Sequence, residues 1–167
     1  MHSAEPKPAS HMTNKDLLAY LHPDLFIPEL KARGKSDVLQ KMVSHLVEKN
    51  RIRDGSIVLE GLRTREKLGS TGIGKGIAIP HSRSTVTSEL TLLFARSEHG
   101  LDFEALDEQP VHLIFMILAP HQERANAYLP LLGKLVEVTR DAVTRRRLLK
   151  AADLDAVVEA IQKAKAR

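Results

Sequence analysis

Several kinds of functional site are missing from this sequence of 167 residues. It has no cysteine, which excludes disulfides, zinc–thiolate centres and thiol nucleophiles. Aromatic residues make up 4% of the chain, fewer than a groove that stacks single-stranded nucleic acid would normally have. No HExxH or similar metal spacing occurs, so we expect neither a metal nor another cofactor.

Long apolar runs are also missing. The longest, from Leu113 to Ala119, is far too short to span a bilayer, and the N-terminus has no charged-then-apolar signal pattern. We therefore expect a cytoplasmic protein without membrane insertion. Residues 1–12 carry two prolines and few apolar side chains. They are predicted to be a disordered tail or a cloning remnant ahead of a single domain at 13–167.

The remaining composition is that of an ordinary globular domain. Hydrophobic residues account for 43% and charged residues for 28% of the chain, which is enough for one compact core at this length. The net charge is +4, but the one basic run, Arg145 to Arg147, is interpreted as a solvated helix face. A nucleic-acid partner is therefore not expected.

Periodicity and capping residues predict alternating helices and strands. Thr13 and Ser36 are read as N-caps of two helices, and a third helix is predicted to start at Asp54 and run to Lys67 before Gly69. Further helices are predicted at 124–139, 143–150 and 154–165, and strands at 25–30, 77–80, 90–97 and 111–119. The last of these strands is apolar on both faces, which predicts a central position in a covered sheet. The pattern as a whole indicates a single α/β domain.

The stretch GSTGIGKG, residues 69–76, is close to a nucleotide-binding P-loop. Gly69, Gly74 and Lys75 fit that motif, but Gly76 stands where a magnesium-binding hydroxyl is required. The order of elements is also reversed, because a helix precedes the stretch and an extended segment ending at Pro80 follows it. A nucleotide site is therefore rejected. A flexible turn and a loop that brings backbone close to a ligand both remain open.

His81 follows this loop in the segment IAIPHSRS and is expected where a strand meets a loop. A neutral imidazole nitrogen can act as a nucleophile near neutral pH. Arg65 and Arg83 are candidates for neutralising a phosphoryl group. Candidate hydroxyl donors to its oxygens are Ser70, Thr71 and Ser82.

The segment REKLGSTGIGKGIAIPH, Arg65 to His81, resembles the active-site signature of the enzyme IIA components of the bacterial phosphotransferase system. The resemblance is to the fructose/mannitol class and is strongest for its nitrogen-regulatory branch; a weaker likeness extends over Thr13 to Lys165. It implies an α/β fold with a mixed sheet flanked by helices on both faces. It also implies that His81 accepts a phosphoryl group from an HPr-like carrier and that Arg65 stabilises it. The loop with Gly72 and Gly74 then supplies backbone N–H groups.

Two roles are consistent with this resemblance. A regulatory protein would use phosphorylation of His81 as a switch for docking onto a transporter or a sensor kinase. A sugar-specific component would pass the phosphoryl group on to a IIB partner. In either role the chain is a phosphotransferase component without turnover of small molecules by itself. A third reading, a hydrolase with His81 as its base, lacks an acidic partner close in sequence.

One position departs from the family pattern. The family commonly has a second histidine in a motif of the type H-L-x-x-L after the central strand, and here the matching stretch AYLPLL places Tyr128 at that position. The Tyr128 hydroxyl could hydrogen-bond a phosphate oxygen or the His81 ring, and a packing role is equally open. His121 is the alternative candidate for a second active-site histidine. His112, in the central strand, is expected to be a hydrogen-bonded structural residue.

Overall fold

The computed structural model describes residues 11–165. Within them lie six α-helices and six β-strands. The helices are α1 (Asn14–Leu18), α2 (Lys35–Glu48), α3 (Gly55–Lys67), α4 (Tyr128–Arg140), α5 (Ala142–Lys150) and α6 (Leu154–Gln162). The strands are β1 (Phe26–Ile27), β2 (Gly72–Gly74), β3 (Ile77–Ala78), β4 (His81–Ser84), β5 (Thr91–Leu101) and β6 (Val111–Pro120).

The strands form one mixed sheet with β6 near its centre. Strand β5 pairs antiparallel to β6 on one side and parallel to β1 beyond it. On the other side β6 pairs in parallel with two short strands in succession, β3 and then β4, and β2 pairs antiparallel to β3. The predicted central position of this strand is confirmed, since all its residues between Leu113 and Ala119 are buried.

Helices cover both faces of the sheet, as the sequence predicted. One face packs Phe94, Phe115 and Ile117 against apolar side chains of α1, α4, α5 and α6. The other face packs Leu93, Met116 and others against α2 and α3. Strand residues alternate between the two faces, so one continuous apolar strand contributes to two cores. Each fully buried apolar side chain contributes about 1.5–3 kcal/mol to folding.

One of the two predicted caps, Thr13, is confirmed, and the helix predicted to start at Asp54 begins one residue later. Thr13 and Asp54 cap α1 and α3 through their side chains. The predicted cap at Ser36 is wrong, because α2 already begins at Lys35 after Gly34. The helix predicted from 124 begins only at Tyr128. A start at 124 would put Pro130 in the helix interior, whereas in the first turn of α4 its missing N–H costs nothing.

The strand predicted at 25–30 is mostly not a strand. Residues Pro23–Leu25 form a 3₁₀ turn, and only Phe26–Ile27 pair with β5. Residues 1–10 of the predicted tail lie outside the described residues, whereas Met12 packs partly buried against the core.

No helix among residues 11–165 combines the length and the apolar character needed to cross a membrane.

The glycine stretch is a β-hairpin rather than a loop. Gly74 pairs with Ile77 across a two-residue turn, Lys75–Gly76, and both turn residues have positive φ, 58° and 80°. Positive φ at both central positions is the requirement of a type I′ hairpin turn. Gly76 therefore serves a tight turn between β2 and β3, and the context of a nucleotide P-loop, a strand followed by a helix, is absent from this segment.

Candidate functional site

His81 is the first residue of β4 and lies opposite Ile117 of β6. The prediction that His81 lies where a strand meets a loop is therefore wrong. The Ile117 N–H donates to the Pro80 carbonyl, so pairing along β6 resumes directly after the proline. The break between β3 and β4 falls at Ile79–Pro80, where the proline has no N–H to contribute. The His81 side chain is half-buried at this break.

A backbone hydrogen bond determines which ring nitrogen of His81 is available. Nδ1 lies 2.7 Å from the carbonyl oxygen of Ile79. A carbonyl oxygen only accepts, so Nδ1 must carry the proton and donate it. In the neutral ring Nε2 then holds the free lone pair. The fold thereby presents Nε2 as the nucleophile.

Tyr128, at the start of α4, is the aromatic neighbour of His81. The two ring centroids lie 6.2 Å apart with the planes tilted by 59°. Tyr128 is only 7% exposed. Its burial raises its pKa above the ordinary value, an effect that the nearby Arg83 and Arg65 charges partly offset. Tyr128 is thus a neutral hydrogen-bonding phenol near neutral pH and not a substitute cation for the histidine expected there. The alternative candidate, His121, is exposed in the segment that leads from β6 to α4.

The tyrosine titration should report this burial. The chain has two tyrosines, and burial raises the pKa of Tyr20 as well, with Glu123 and Asp16 adding to the effect. We expect both phenolate absorbance midpoints to lie above about 10 in the folded protein and near that value in urea. The associated stability is present below pH about 10 and is lost as the pH rises through the folded pKa values. A Tyr128→Phe variant should lose one of the two transitions, and a folded-state midpoint at or below the urea value would contradict the prediction.

Two arginines lie near this tyrosine. The Arg83 guanidinium carbon is 4.5 Å from the centroid of the Tyr128 ring, and its Nη1 donates to the Pro120 carbonyl. Arg65, in the last turn of α3, donates from Nη1 to the Gly69 carbonyl at 2.9 Å and is close enough to lower the pKa of Tyr128. Because alternate residues of a strand share a face, Arg83 projects on the same side of β4 as His81. The guanidinium groups of Arg65 and Arg83 are thus the two cations near the free Nε2 of His81.

The predicted hydroxyl donors do not gather around His81 in the same way. Ser82 projects from the opposite side of β4, since a Cβ added at Gly61 of α3 would stand 2.8 Å from the Ser82 hydroxyl. The Thr71 hydroxyl donates to the Glu66 carboxylate. The Ser70 hydroxyl accepts from the Gly72 N–H. Ser82 and Thr71 therefore serve packing and loop geometry, and Ser70 is the hydroxyl that remains close to the Arg65–Gly69 contact.

Gly72 and Gly74 lie in the hairpin, away from His81 along the sheet. A Cβ at Gly72 would collide with Ala105, and one at Gly74 would contact Asp107. Gly74 lies opposite Ile77, whose partner Leu113 is four residues before Ile117 along β6. At roughly 3.3 Å per residue this places Gly74 about 13 Å along the sheet from His81. Close packing of the hairpin accounts for glycine at these two positions.

A buried ionic network beneath the loop is a feature that the sequence did not reveal. Glu66, at the end of α3, accepts from both the N–H and the hydroxyl of Thr71. Its carboxylate also pairs with Lys35 at 3.1 Å, and the Lys35 ammonium lies 5.2 Å from the centroid of the Phe103 ring. The network ties the start of α2 to the end of α3 and to the hairpin. It thereby holds the turn that contains Arg65 and Gly69.

Glu66→Gln should destabilise the fold. The amide keeps a hydrogen-bond acceptor for Thr71 but leaves the half-buried Lys35 without its buried counter-charge, and we expect a loss of about 1–3 kcal/mol in the free energy of unfolding. Urea unfolding measures this loss. Glu104→Gln is the matched control, because Glu104 pairs with the same lysine at 3.5 Å from an exposed position, where removal of a charge has little effect. Equal stability of wild type and Glu66→Gln would contradict the prediction.

No cluster of three or more histidine or acidic residues among residues 11–165 is arranged to hold a metal ion. The chemistry available at His81 is that of an imidazole nucleophile beside two guanidinium groups and a phenol.

Comparison with known proteins agrees with this chemistry. The family model described as the phosphoenolpyruvate-dependent sugar phosphotransferase system, EIIA 2, matches residues 19–164. A nitrogen regulatory protein of Bradyrhizobium diazoefficiens is 35% identical over 142 residues, covering 85% of this chain and 90% of the relative. The fructose-specific EIIABC component of Bacillus subtilis is 36% identical over 132 residues, which are 79% of this chain and 21% of that longer protein.

The solved structures give the same result. The crystal structure of the nitrogen regulatory protein IIA-Ntr from Neisseria meningitidis superimposes with a TM-score of 0.79 at 29% identity, covering 87% of this chain and 98% of the other. The resemblance expected from Arg65 to His81 is thus confirmed over nearly the whole chain, in sequence and in fold. This chain belongs to the EIIA type-2 family of the phosphoenolpyruvate-dependent sugar phosphotransferase system.

Proposed function

We propose that His81 is the phosphoryl acceptor of this protein, that Nε2 is the atom phosphorylated, and that an HPr-like phosphocarrier is the donor. The observation that carries the proposal is the hydrogen bond from Nδ1 to the Ile79 carbonyl, 2.7 Å long. It fixes the tautomer before the donor arrives, so no proton has to be moved to generate the nucleophile.

The proposed phosphoryl transfer needs neither a metal nor an external base. The Nε2 lone pair forms a bond to phosphorus while the bond between phosphorus and the donor's histidine nitrogen breaks, and that electron pair returns to the donor ring. The proton on Nδ1 of His81 stays in place, hydrogen-bonded to Ile79. Phosphoryl transfer proceeds through a loose transition state, so positioning and charge neutralisation are the main requirements.

Arg65 is the proposed stabiliser of the transferred group. Its guanidinium presents a planar fork of donors suited to phosphate oxygens, and the bond from Nη1 to the Gly69 carbonyl leaves other N–H groups free to donate. Arg83 supplies further positive charge from the face of β4 that carries His81. The Tyr128 hydroxyl is a neutral donor for a phosphate oxygen, and Ser70 supports the turn beside Arg65.

Intact mass measurement and NMR of the phosphorylated protein test the acceptor atom. We would incubate the chain with phosphoenolpyruvate, enzyme I and an HPr-like carrier, expecting an acid-labile gain of one phosphoryl group. Phosphorus–nitrogen couplings on the imidazole should then assign the bond to Nε2. Linkage to Nδ1 would overturn the role given to the Ile79 hydrogen bond, and absence of uptake from several carriers would overturn the proposal itself.

We further propose that the protein has a regulatory role of the nitrogen type. Similarity to the Bradyrhizobium diazoefficiens relative along 90% of that protein supports this assignment. Phosphorylation adds about two negative charges at neutral pH, enough to change docking at a surface that carries Arg65 and Arg83. Targets of the transporter or sensor-kinase type would then distinguish the two forms.

A sugar-specific role is the second candidate, supported by the 36% identity to a fructose-specific component. The two roles share the first transfer and differ in the second. Mixing the phosphorylated chain with a purified fructose-type or mannitol-type IIB protein separates them. Rapid loss of phosphate to IIB would assign the sugar role, and a stable phosphohistidine would favour the regulatory one.

A further inference from the structure

A cavity at the opposite end of β6 from the His81 site collects positive charge. It measures about 230 Å³ and is lined by Lys75, Gly76, His112, Leu113, Ala142, Arg145, Arg146 and Leu149. Leu113 is four residues before Ile117, the partner of His81. At roughly 3.3 Å per residue the cavity is therefore about 13 Å from that site along the strand.

The cations of this cavity are not neutralised by ion pairing. None of the salt bridges formed within residues 11–165 involves Lys75, Arg145 or Arg146. Two carboxylates lie beside the cavity, and both accept from backbone N–H groups rather than pairing with these cations: Asp107 accepts from the Lys75 and Gln109 N–H groups, and Asp141 caps the start of α5. Three unneutralised cations around a concavity favour an anionic occupant.

Backbone hydrogen bonds hold part of this charge in place. Arg145 donates from Nη1 to the carbonyls of Thr139 and Arg140 at 2.9 and 2.7 Å, which anchors its guanidinium against the end of α4. The same segment joins α4 to α5, whose first residue, Ala142, lines the cavity. Binding an anion there would require little reorganisation of the anchored group.

A buried arginine next to the lining of this cavity is an independent indication that it binds an anion. Arg96 is 8% exposed and pairs in register with Leu113, one of the lining residues, so its side chain lies beside that leucine on the same face of the sheet. Its Nε and Nη1 have no hydrogen-bond partner among the described residues. Unpaired buried guanidinium nitrogens are costly, and a nearby anion lowers that cost.

We propose that this cavity binds the phosphate group of a small phosphorylated metabolite. A phosphate monoester carries up to two negative charges at neutral pH and several acceptor oxygens, which match three cations better than a single carboxylate does. The volume lies below the usual range of about 300–1,000 Å³ for ligand pockets, which suits a phosphate group carried by a few carbon atoms.

Two-dimensional NMR with inorganic phosphate and glycerol 3-phosphate as probes tests the proposal. We expect amide shifts centred on Gly76, Leu113 and Leu149, with the probes bound roughly tenfold more weakly after Lys75→Gln or Arg146→Gln. Arg147→Gln is the matched control, because Arg147 follows Arg146 on α5 but lines a different depression. The Arg147→Gln variant should therefore bind both probes as tightly as the wild type does. Unchanged affinity in Lys75→Gln and Arg146→Gln would overturn the proposal.

A His81→Ala background separates this site from the phosphotransfer site. Probe binding at the cavity should persist in it, because the cavity does not contain His81. Shifts centred on β4 that disappear with His81 would place phosphate at the phosphotransfer site and refute a second one. No shift with either probe, together with shifts along α5 on adding a glutamate-rich peptide, would assign the charge to an acidic protein partner and overturn the proposal as well.

Discussion

Replacing His81 by alanine is expected to abolish phosphoryl uptake from the carrier. The variant removes the Nε2 nucleophile, and neither Arg65 nor Tyr128 can form a phosphohistidine in its place. The side chain is half-buried and makes one backbone hydrogen bond, to Ile79, so the fold should be retained with a loss of about 0.5–1.5 kcal/mol. Intact mass after incubation with the complete phosphorylation mixture gives the result directly.

His99→Ala is the matched control for this experiment. His99 is exposed in β5, outside the cluster around Tyr128, and its loss should leave uptake at the wild-type level. Retention of an acid-labile phosphoryl group in His81→Ala would reject the assignment. The remaining histidines, with the exposed His121 first, would then have to be replaced in turn.

Arg65→Ala should slow phosphoryl transfer roughly 100- to 1,000-fold without preventing it. The guanidinium provides charge and directed donors where negative charge is spread over the equatorial oxygens of the transferred group. Arg65→Lys keeps the charge but loses the planar fork, and an intermediate rate is expected. Rapid-quench measurement of the first turnover reports the transfer step itself.

Arg63→Ala controls for the loss of an arginine from the same helix. Arg63 is exposed, donates to the Ser36 hydroxyl, and should leave transfer unaffected. Thermal unfolding of both variants shows whether a slow Arg65→Ala protein is still folded, since Arg65 also bonds the Gly69 carbonyl. Equal transfer rates in Arg65→Ala and wild type would remove this arginine from the mechanism and shift attention to Arg83.

The elements with strong local signals were predictable. Thr13 and Asp54 each place an acceptor oxygen before a helical pattern, and both caps are present. The strand at 111–119 combines an apolar run with no helical period, and it forms the sheet centre within one residue of its predicted end. These signals are local because capping and side-chain alternation depend on neighbours in the chain.

The predictions that were wrong have a different cause. Ser36 has the chemistry of a cap, but the N-cap of α2 is two residues earlier, at Gly34. His81 follows a proline, which suggested a loop, yet β6 offers a parallel partner immediately after it. Pairing with a strand some thirty residues later in the chain leaves no trace in the local sequence, so only the folded sheet decides that β4 exists.

The sequence by itself determined the family, the acceptor candidate and the absence of thiol chemistry, because these depend on which residues are present and in what order. The tertiary structure decided what surrounds the acceptor. It brought Tyr128 and Arg83 beside His81, turned Ser82 towards Gly61 and engaged Thr71 with the buried Glu66. Residues that alternate along a strand face opposite sides, and residues far apart in the chain meet only when helices pack onto the sheet. Which hydroxyls and cations can reach a phosphoryl group on Nε2 is therefore set by packing.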